Sequence, residues 1–204
     1  MSRGADEAVT RGSMKLSWLL RFGARETGLQ MDTAGWVERA ELLEAAGLSE
    51  AQLDEVVRLN NKQRFQVDGA RVRACQGHGV DGAPVTREAL EASWEVYQGD
   101  DAIWHGTRAE AVPGIAEAGI LPGGRTHVHL AAGTDSRVGK RANVAVMLQV
   151  SAAALRGLGR EVHVSPNGVV LARDVPAAAI VGLEARTKKA RRREDELREM
   201  LGLA

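Results

Sequence analysis

Asn60-Asn61-Lys62-Gln63-Arg64-Phe65-Gln66-Val67-Asp68-Gly69-Ala70-Arg71-Val72-Arg73-Ala74 is the most sharply punctuated passage of the chain. Residues 64–67 and 70–74 are two short alternating runs, and Asp68-Gly69 between them is the favoured pair for a two-residue hairpin turn. Upstream, helical spacing of Leu16, Leu19 and Leu20 predicts a first helix over Met14–Glu26, stopped at Gly28. A second is predicted over Arg39–Ala46, after Gly35-Trp36-Val37 and closed by Gly47. Ser49 caps a third, whose apolar stripe is Leu53, Val56 and Val57. Three helices followed by a hairpin define a winged-helix-like lobe over residues 14–80, an architecture that holds nucleic acid or mediates protein contacts. Residues 1–13 are expected to be disordered.

Residues 81–101 are expected to form an acidic connection with a short helix around Arg87–Trp94. Residues 102–204 form a second, strand-rich lobe. A helix is predicted over Ala109–Ala118 and a short one over Thr134–Arg141. Strands are predicted at Ala102–Trp104, Val128–Leu130, Val144–Val150, Glu161–Val164, Val169–Leu171 and Ile180–Val181. The tail from Thr187 to Leu201 reads as a charged helix. The fold class is therefore α+β.

The chain has 204 residues, 44% of them hydrophobic, enough to bury two small cores. Lys plus Arg and Asp plus Glu both number 27, so the net charge is zero and a broad electrostatic grip on long nucleic acid is excluded. The zero conceals an uneven distribution. Residues 74–103 carry Arg87 against six acids, whereas the two stretches that follow are net basic. A single cysteine, Cys75, excludes an internal disulfide framework. Without a signal-peptide core or a bilayer-length apolar run, the expectation is a reduced, cytoplasmic, monomeric protein that makes no membrane contact.

His105-Gly106-Thr107 joins a strand to a helix. Its glycine admits the backbone to a planar ligand such as an amide, and its histidine can bond a ribose hydroxyl; an ordinary capped turn is the competing reading. Alternation places Arg125, His127 and His129 on one face of an extended segment. No helical histidine pair or nearby carboxylate accompanies them, so a metal site is not expected. Lys62 and Arg64, two apart on an incoming strand, can clamp a phosphate or form a solvated edge. Arg21 lies among Leu19, Leu20 and Phe22 with no acid at helical spacing to answer it.

Taken in order, Leu16-Ser17, Leu20-Arg21, Gly28-Leu29, Asp32, Gly35-Trp36-Val37, Asn60–Phe65, Gln76-Gly77-His78, His105-Gly106-Thr107, Arg125–Leu130 and Asn167-Gly168-Val169 resemble the NAD-dependent RNA 2′-phosphotransferase family over residues 14–183. The resemblance implies an N-terminal winged-helix-like lobe for RNA and a C-terminal lobe of the ADP-ribosyltransferase fold for NAD, which is a co-substrate. It implies that the RNA 2′-phosphate displaces nicotinamide from NAD. The ribose 2″-hydroxyl then attacks that phosphate and releases ADP-ribose 1″,2″-cyclic phosphate. Arg21, Arg64 and Arg125 would be the catalytic phosphate-binding arginines, with Lys62, Gln76, His78 and His127 on the phosphate or RNA. His105, Gly106, Thr107, His129, Leu130, Arg141, Asn167 and Val169 would bind NAD. Val169 stands where protein-directed relatives of the fold carry a glutamate. One position departs from the family: its usual Arg-His is here Arg21-Phe22. Phenylalanine cannot donate a hydrogen bond, so a second expectation is ADP-ribose left on a terminal phosphate of RNA or DNA. A third is an inactive nucleotide- or nucleic-acid-binding module.

Overall fold

A computed structural model describes residues 3–136, 138–139 and 144–203, an α+β chain with three antiparallel sheets that divides into two compact units. The first unit comprises residues 1–93 with 124–126, and the second residues 94–123 with 127–204. The division thus falls at Ser93–Trp94, inside the stretch expected to be a connection.

The first unit opens with α1 (Arg3–Trp18), a π-helical turn (Leu19–Gly23) and α2 (Ala24–Thr27), which Gly28 ends in the left-handed region at φ 73°. Residues 3–13, expected to be disordered, are the first turns of α1. The reason is amphipathicity: Val9 packs on the core one turn ahead of buried Gly12 and two turns ahead of buried Leu16, so the apolar stripe begins before Met14. Gly12 is also where α1 meets the fourth helix, since a Cβ there would stand 2.7 Å from Val56 Cγ2.

Next come β1 (Val37–Glu38), α3 (Arg39–Ala46) and α4 (Glu50–Leu59), then β2 (Phe65–Asp68), β3 (Arg71–Ala74) and α5 (Arg87–Ala92). Ser49 and Gln52 form a reciprocal capping box at the start of α4. The hairpin stands, but Asp68 pairs with Arg71, so the turn residues are Gly69-Ala70 rather than Asp68-Gly69. Gly69 takes φ 57° at the first turn position, which suits a turn needing glycine there. Strand β1 was not anticipated; it is two residues long and completes a sheet of order β1-β3-β2. Lys62 and Arg64 precede β2 and do not share a strand face, because Asn61-Lys62 form a turn and Gln63 is left-handed at φ 45°. Leu16, Leu19, Leu20, Leu42, Leu53 and Val72 fill the core.

The second unit holds β4 (Glu95–Val96), β5 (Ala102–Thr107), a 3₁₀ turn (Ala109–Ala111), α6 (Val112–Ala118), β6 (Val128–Leu130), β7 (Val146–Ser151), α7 (Ala152–Gly157), β8 (His163–Val164), β9 (Val170–Ala172), a second 3₁₀ turn (Ala177–Ala179), β10 (Ile180–Ala185), α8 (Lys188–Arg191) and α9 (Glu194–Met200). Its sheets run β10-β7-β5 and β4-β8-β9-β6, around Ile103, Leu130, Leu148, Leu155, Val170 and Leu183. No helix forms at Thr134–Ser136. There the Ser136 hydroxyl accepts from Val138 N and donates to Val138 O, and this local bonding competes with a helix. The remainder of that predicted helix, Arg141 included, reaches beyond the described residues. The tail is two helices rather than one, broken by a turn at Arg192-Arg193, after which α9 begins with Glu194, Asp195 and Glu196 in its first turn, where acids suit a helix N-terminus. Among the described residues no helix is long and apolar enough to cross a membrane.

Candidate active site

Arg21 occupies the middle of the π turn, a local widening of the helix that concentrates at functional sites. The widening is stabilised from outside. Gly79 N donates to Arg21 O (2.8 Å) and Arg25 N donates to Gly82 O (3.1 Å), so backbone bonds are made with the 79–82 segment. That segment approaches so closely that a Cβ on Gly82 would lie 1.9 Å from Phe22 O. Gly79 also bridges to Arg125, flanked by Val80 N to Gly124 O (3.1 Å) and Thr126 N to His78 O (3.1 Å). One glycine therefore ties the backbones of Arg21 and Arg125 together.

Arg64 is placed by a different device. Asn60, 7% exposed, accepts at Oδ1 from Lys62 N, Arg64 N and Arg64 Nη1, at 3.2, 3.2 and 3.1 Å. Its Nδ2 donates to Ser13 Oγ (2.8 Å), anchoring the loop to α1. Burial lowers the Arg64 pKa from its ordinary value.

The electrostatics of Arg21 show what the cluster lacks. Its pKa is lowered to about 10, first by burial and then by the charges of Arg125 and Arg64; among the described residues no carboxylate is among the groups acting on it. Its Nη2 donates to Gln76 Oε1 at 3.4 Å, and its buried Nε has no hydrogen-bond partner among the described residues. Burial pushes the nearby Cys75 thiol up to about 11, so it is neutral at physiological pH and opposes the lowering of the Arg21 pKa only as a thiolate. Arg21 is thus buried against two like charges with no carboxylate among the groups acting on it, an arrangement that an anion completes. Trp18, Phe22, Arg21, Asn61 and Arg64 also line a groove of about 600 Å³ in this unit.

Of the remaining candidates in this unit, Lys62 sits in the turn before Arg64, Gln76 faces Arg21, and His78 is wholly buried beneath Gly35. The 125–129 segment is not one extended face. It bends at Thr126-His127 where Arg125 pairs with Gly79 and Val128 enters β6, so Arg125 belongs to the first unit and the histidines to the second. His127 is 1% exposed and stands edge-on to Trp94, ring centroids 5.0 Å apart.

In the second unit, β5 carries His105, Gly106 and Thr107, all half-buried. His105 Nδ1 lies 3.2 Å from His129 O on β6; a carbonyl only accepts, so Nδ1 is the donor, and in the neutral ring this leaves Nε2 as the acceptor. Trp104 exchanges both backbone bonds with Ala131 (2.9 and 2.8 Å). Two residues on, the Gly106 N–H and C=O face the same edge, past the end of that pairing. A Cβ at Gly106 would stand 2.7 Å from Val144 Cγ1, which explains the glycine by packing as well. Leu130 is buried on β6, Val169 is 1% exposed, and Asn167 caps the turn between β8 and β9 by accepting from Ser165 Oγ (2.9 Å). Among the described residues no group of three His, Cys, Asp or Glu could hold a metal ion.

The sequence marks Asn60 only as the start of the Asn60–Phe65 motif and assigns no role to Asn60, Gly79 or Gly82. The available signals were an asparagine closing a helix just ahead of a basic loop, and glycines spaced three apart after Gln76.

A chain with these two units, a buried arginine flanked by two further arginines in one and a His-Gly strand edge in the other, has the features of a phosphate-handling transferase. It belongs to the RNA 2′-phosphotransferase, Tpt1 / KptA family, whose sequence profile matches residues 7–174. It is 38% identical over 178 residues to a protein of Burkholderia lata named "Probable RNA 2′-phosphotransferase", covering 83% of this chain and 88% of that one. A protein of Streptomyces coelicolor with the same name is 36% identical, covering 84% and 93%. One from Acaryochloris marina is 33% identical, covering 88% and 99%.

Proposed function

We propose that this chain is an NAD-dependent RNA 2′-phosphotransferase. The first unit would serve as a winged-helix-like RNA lobe and the second as an ADP-ribosyltransferase-like NAD lobe. The observation that carries the reading is the cluster of Arg21, Arg64 and Arg125, in which Arg21 is buried against two cations with no acid acting on it. A phosphate dianion satisfies such a cluster, and the family membership supplies the chemistry.

In the first step a 2′-phosphate oxygen, already ionised at neutral pH, attacks the anomeric carbon of NAD's nicotinamide ribose, and nicotinamide leaves with the electron pair of its glycosidic bond. In the second, the ribose 2″-hydroxyl attacks the phosphorus. The RNA 2′-oxygen departs and takes up the proton, leaving repaired RNA and ADP-ribose 1″,2″-cyclic phosphate. The arginines hold the phosphate in line and neutralise the charge that builds on its oxygens, the dominant contribution in phosphoryl transfer. NAD is a substrate here. Gly106's N–H and C=O, pointing past the Ala131 pairing, offer a donor and an acceptor that match a flat carboxamide. His105, its tautomer fixed by His129 O, offers Nε2 to a ribose hydroxyl. Thr107, His129, Leu130 and Asn167 complete the proposed NAD surface, with Lys62, Gln76, His78 and His127 supporting the phosphate or RNA. Val169, buried and apolar, provides no base, and an ionised phosphate nucleophile needs none.

A second reading rests on Phe22, 40% exposed and lining the groove beside Arg21 where the family usually has histidine. Without a donor there the second step is slowed, and ADP-ribose stays on the phosphate. Supplying NAD with oligonucleotides bearing an internal 2′-phosphate, a 5′-phosphate or a 3′-phosphate separates the two. Cyclic phosphate from the first supports phosphotransfer. A stable ADP-ribosylated oligonucleotide that F22H converts to products supports the second reading. Absence of nicotinamide release with all three rejects both.

A further inference from the structure

Two aromatic side chains stand exposed on the groove that also holds Arg21 and Arg64: Trp18 at 41% and Phe22 at 40%. Exposed aromatic rings are ordinarily avoided on a helix, and these two are not loosely splayed. A Cβ on Gly23 would lie 2.6 Å from Trp18 Cζ3 and 2.7 Å from Cη2, so the indole lies against bare backbone. Trp18 and Gly23 are five residues apart, a separation that the π turn brings into line. A Cβ on Gly79 would lie 2.7 Å from Phe22 Cδ1. Each ring is thus seated on a glycine, held on one side and open to solvent elsewhere. Met14, 69% exposed, continues the apolar strip one turn earlier.

A strip of this kind beside two arginines calls for an occupant that presents a planar apolar face and an anion a few ångströms apart. A single-stranded polynucleotide does so at every nucleotide, and aromatic rings next to cationic side chains are the general solution for holding one. We propose that Trp18 and Phe22 form a base-stacking platform for the nucleotides flanking the substrate phosphate. This rests on the reading of the arginine cluster as a phosphate site. Phe22 exchanges a hydrogen-bond donor for a base-binding surface, and the glycines that seat the rings fix their geometry before the strand arrives.

Affinity of a labelled oligonucleotide, measured by anisotropy without NAD, tests this separately from turnover. W18L keeps apolar bulk under the core and W18F keeps an aromatic face. The expected result is about tenfold or more weaker binding for W18L and near-normal binding for W18F on a base-bearing, 2′-phosphorylated oligonucleotide. On an oligonucleotide abasic at the phosphate-bearing position and its neighbours, W18L and the unaltered chain should bind alike. Equal affinity of W18L on the base-bearing strand, or the same loss on the abasic one, overturns the platform. So does a dimer of the unaltered chain that W18L dissociates without change in oligonucleotide affinity, which assigns the strip to a second copy. Removing the 2′-phosphate reports on the arginines alone: if affinity does not fall, the phosphate reading fails while the base dependence still decides the platform.

Discussion

Arg21 is a residue whose functional state costs the folded chain. Its folded pKa, about 10, lies below the usual guanidinium value, so the charged form is disfavoured in the fold at every pH below about 10, and the penalty is relieved only as pH rises above that toward the unfolded-chain value. R21L should therefore raise the melting temperature of the ligand-free protein at neutral pH. The same substitution should cut turnover on a 2′-phosphorylated substrate by about a hundredfold or more, the scale for losing one preorganised donor at developing charge. A lower melting temperature would mean that Arg21 is held by something other than burial against its two cationic neighbours. Sign and position also follow for pH. kcat/KM reports the free enzyme, so it should stay level through neutrality and fall as pH passes about 10, where Arg21 loses its proton. An otherwise deoxy oligonucleotide with one 2′-phosphorylated ribonucleotide survives those conditions and makes the measurement possible.

At the scale of elements, the π turn and the 79–82 segment form one device. The helix widens at Leu19–Gly23 because the 79–82 backbone supplies and accepts bonds there, and it can come close enough only at glycine. G82A puts a methyl 1.9 Å from Phe22 O, against backbone that cannot swing aside. It should lower stability by about 2 kcal/mol or more, read from denaturant midpoints at unchanged slope, and slow turnover by displacing Arg21. This device also marks the limit of sequence reading. The stripe Leu16, Leu19, Leu20 announces a helix, but periodicity does not distinguish a π turn from α-helix within one turn. The hairpin, the Ser49 cap and Gly28 are legible because each depends on neighbours two to four residues away. Gly79 and Gly82 answer to contacts some 57 to 60 residues distant and leave no local trace. For the same reason Arg125, His127 and His129 looked coplanar by alternation, whereas Arg125 is drawn into pairing with Gly79 and the segment bends.

Over the whole molecule, zero net charge and three converging arginines make a joint statement about affinity. A chain without a basic field releases few counterions. With about three phosphate-directed charges on a single strand, the slope of log K against log salt should be about −2. A slope several times steeper would place much of the binding on the basic residues of α8 and its neighbours, and would contradict recognition centred on one phosphate. The order of motifs along the chain was visible in the sequence because family patterns survive at 33–38% identity. The reason those arginines work was not visible, since it lies in burial and in the absence of acids around Arg21, which only folding creates. The central claim is that the phosphate itself moves from RNA onto the ribose of NAD. The most direct measurement is to incubate the protein with NAD and an oligonucleotide radiolabelled in its internal 2′-phosphate and to follow the label. It should leave the oligonucleotide and appear in ADP-ribose 1″,2″-cyclic phosphate, with one nicotinamide released per phosphate moved. Label released as inorganic phosphate without NAD consumption, or label retained on an unmodified oligonucleotide, would contradict the account.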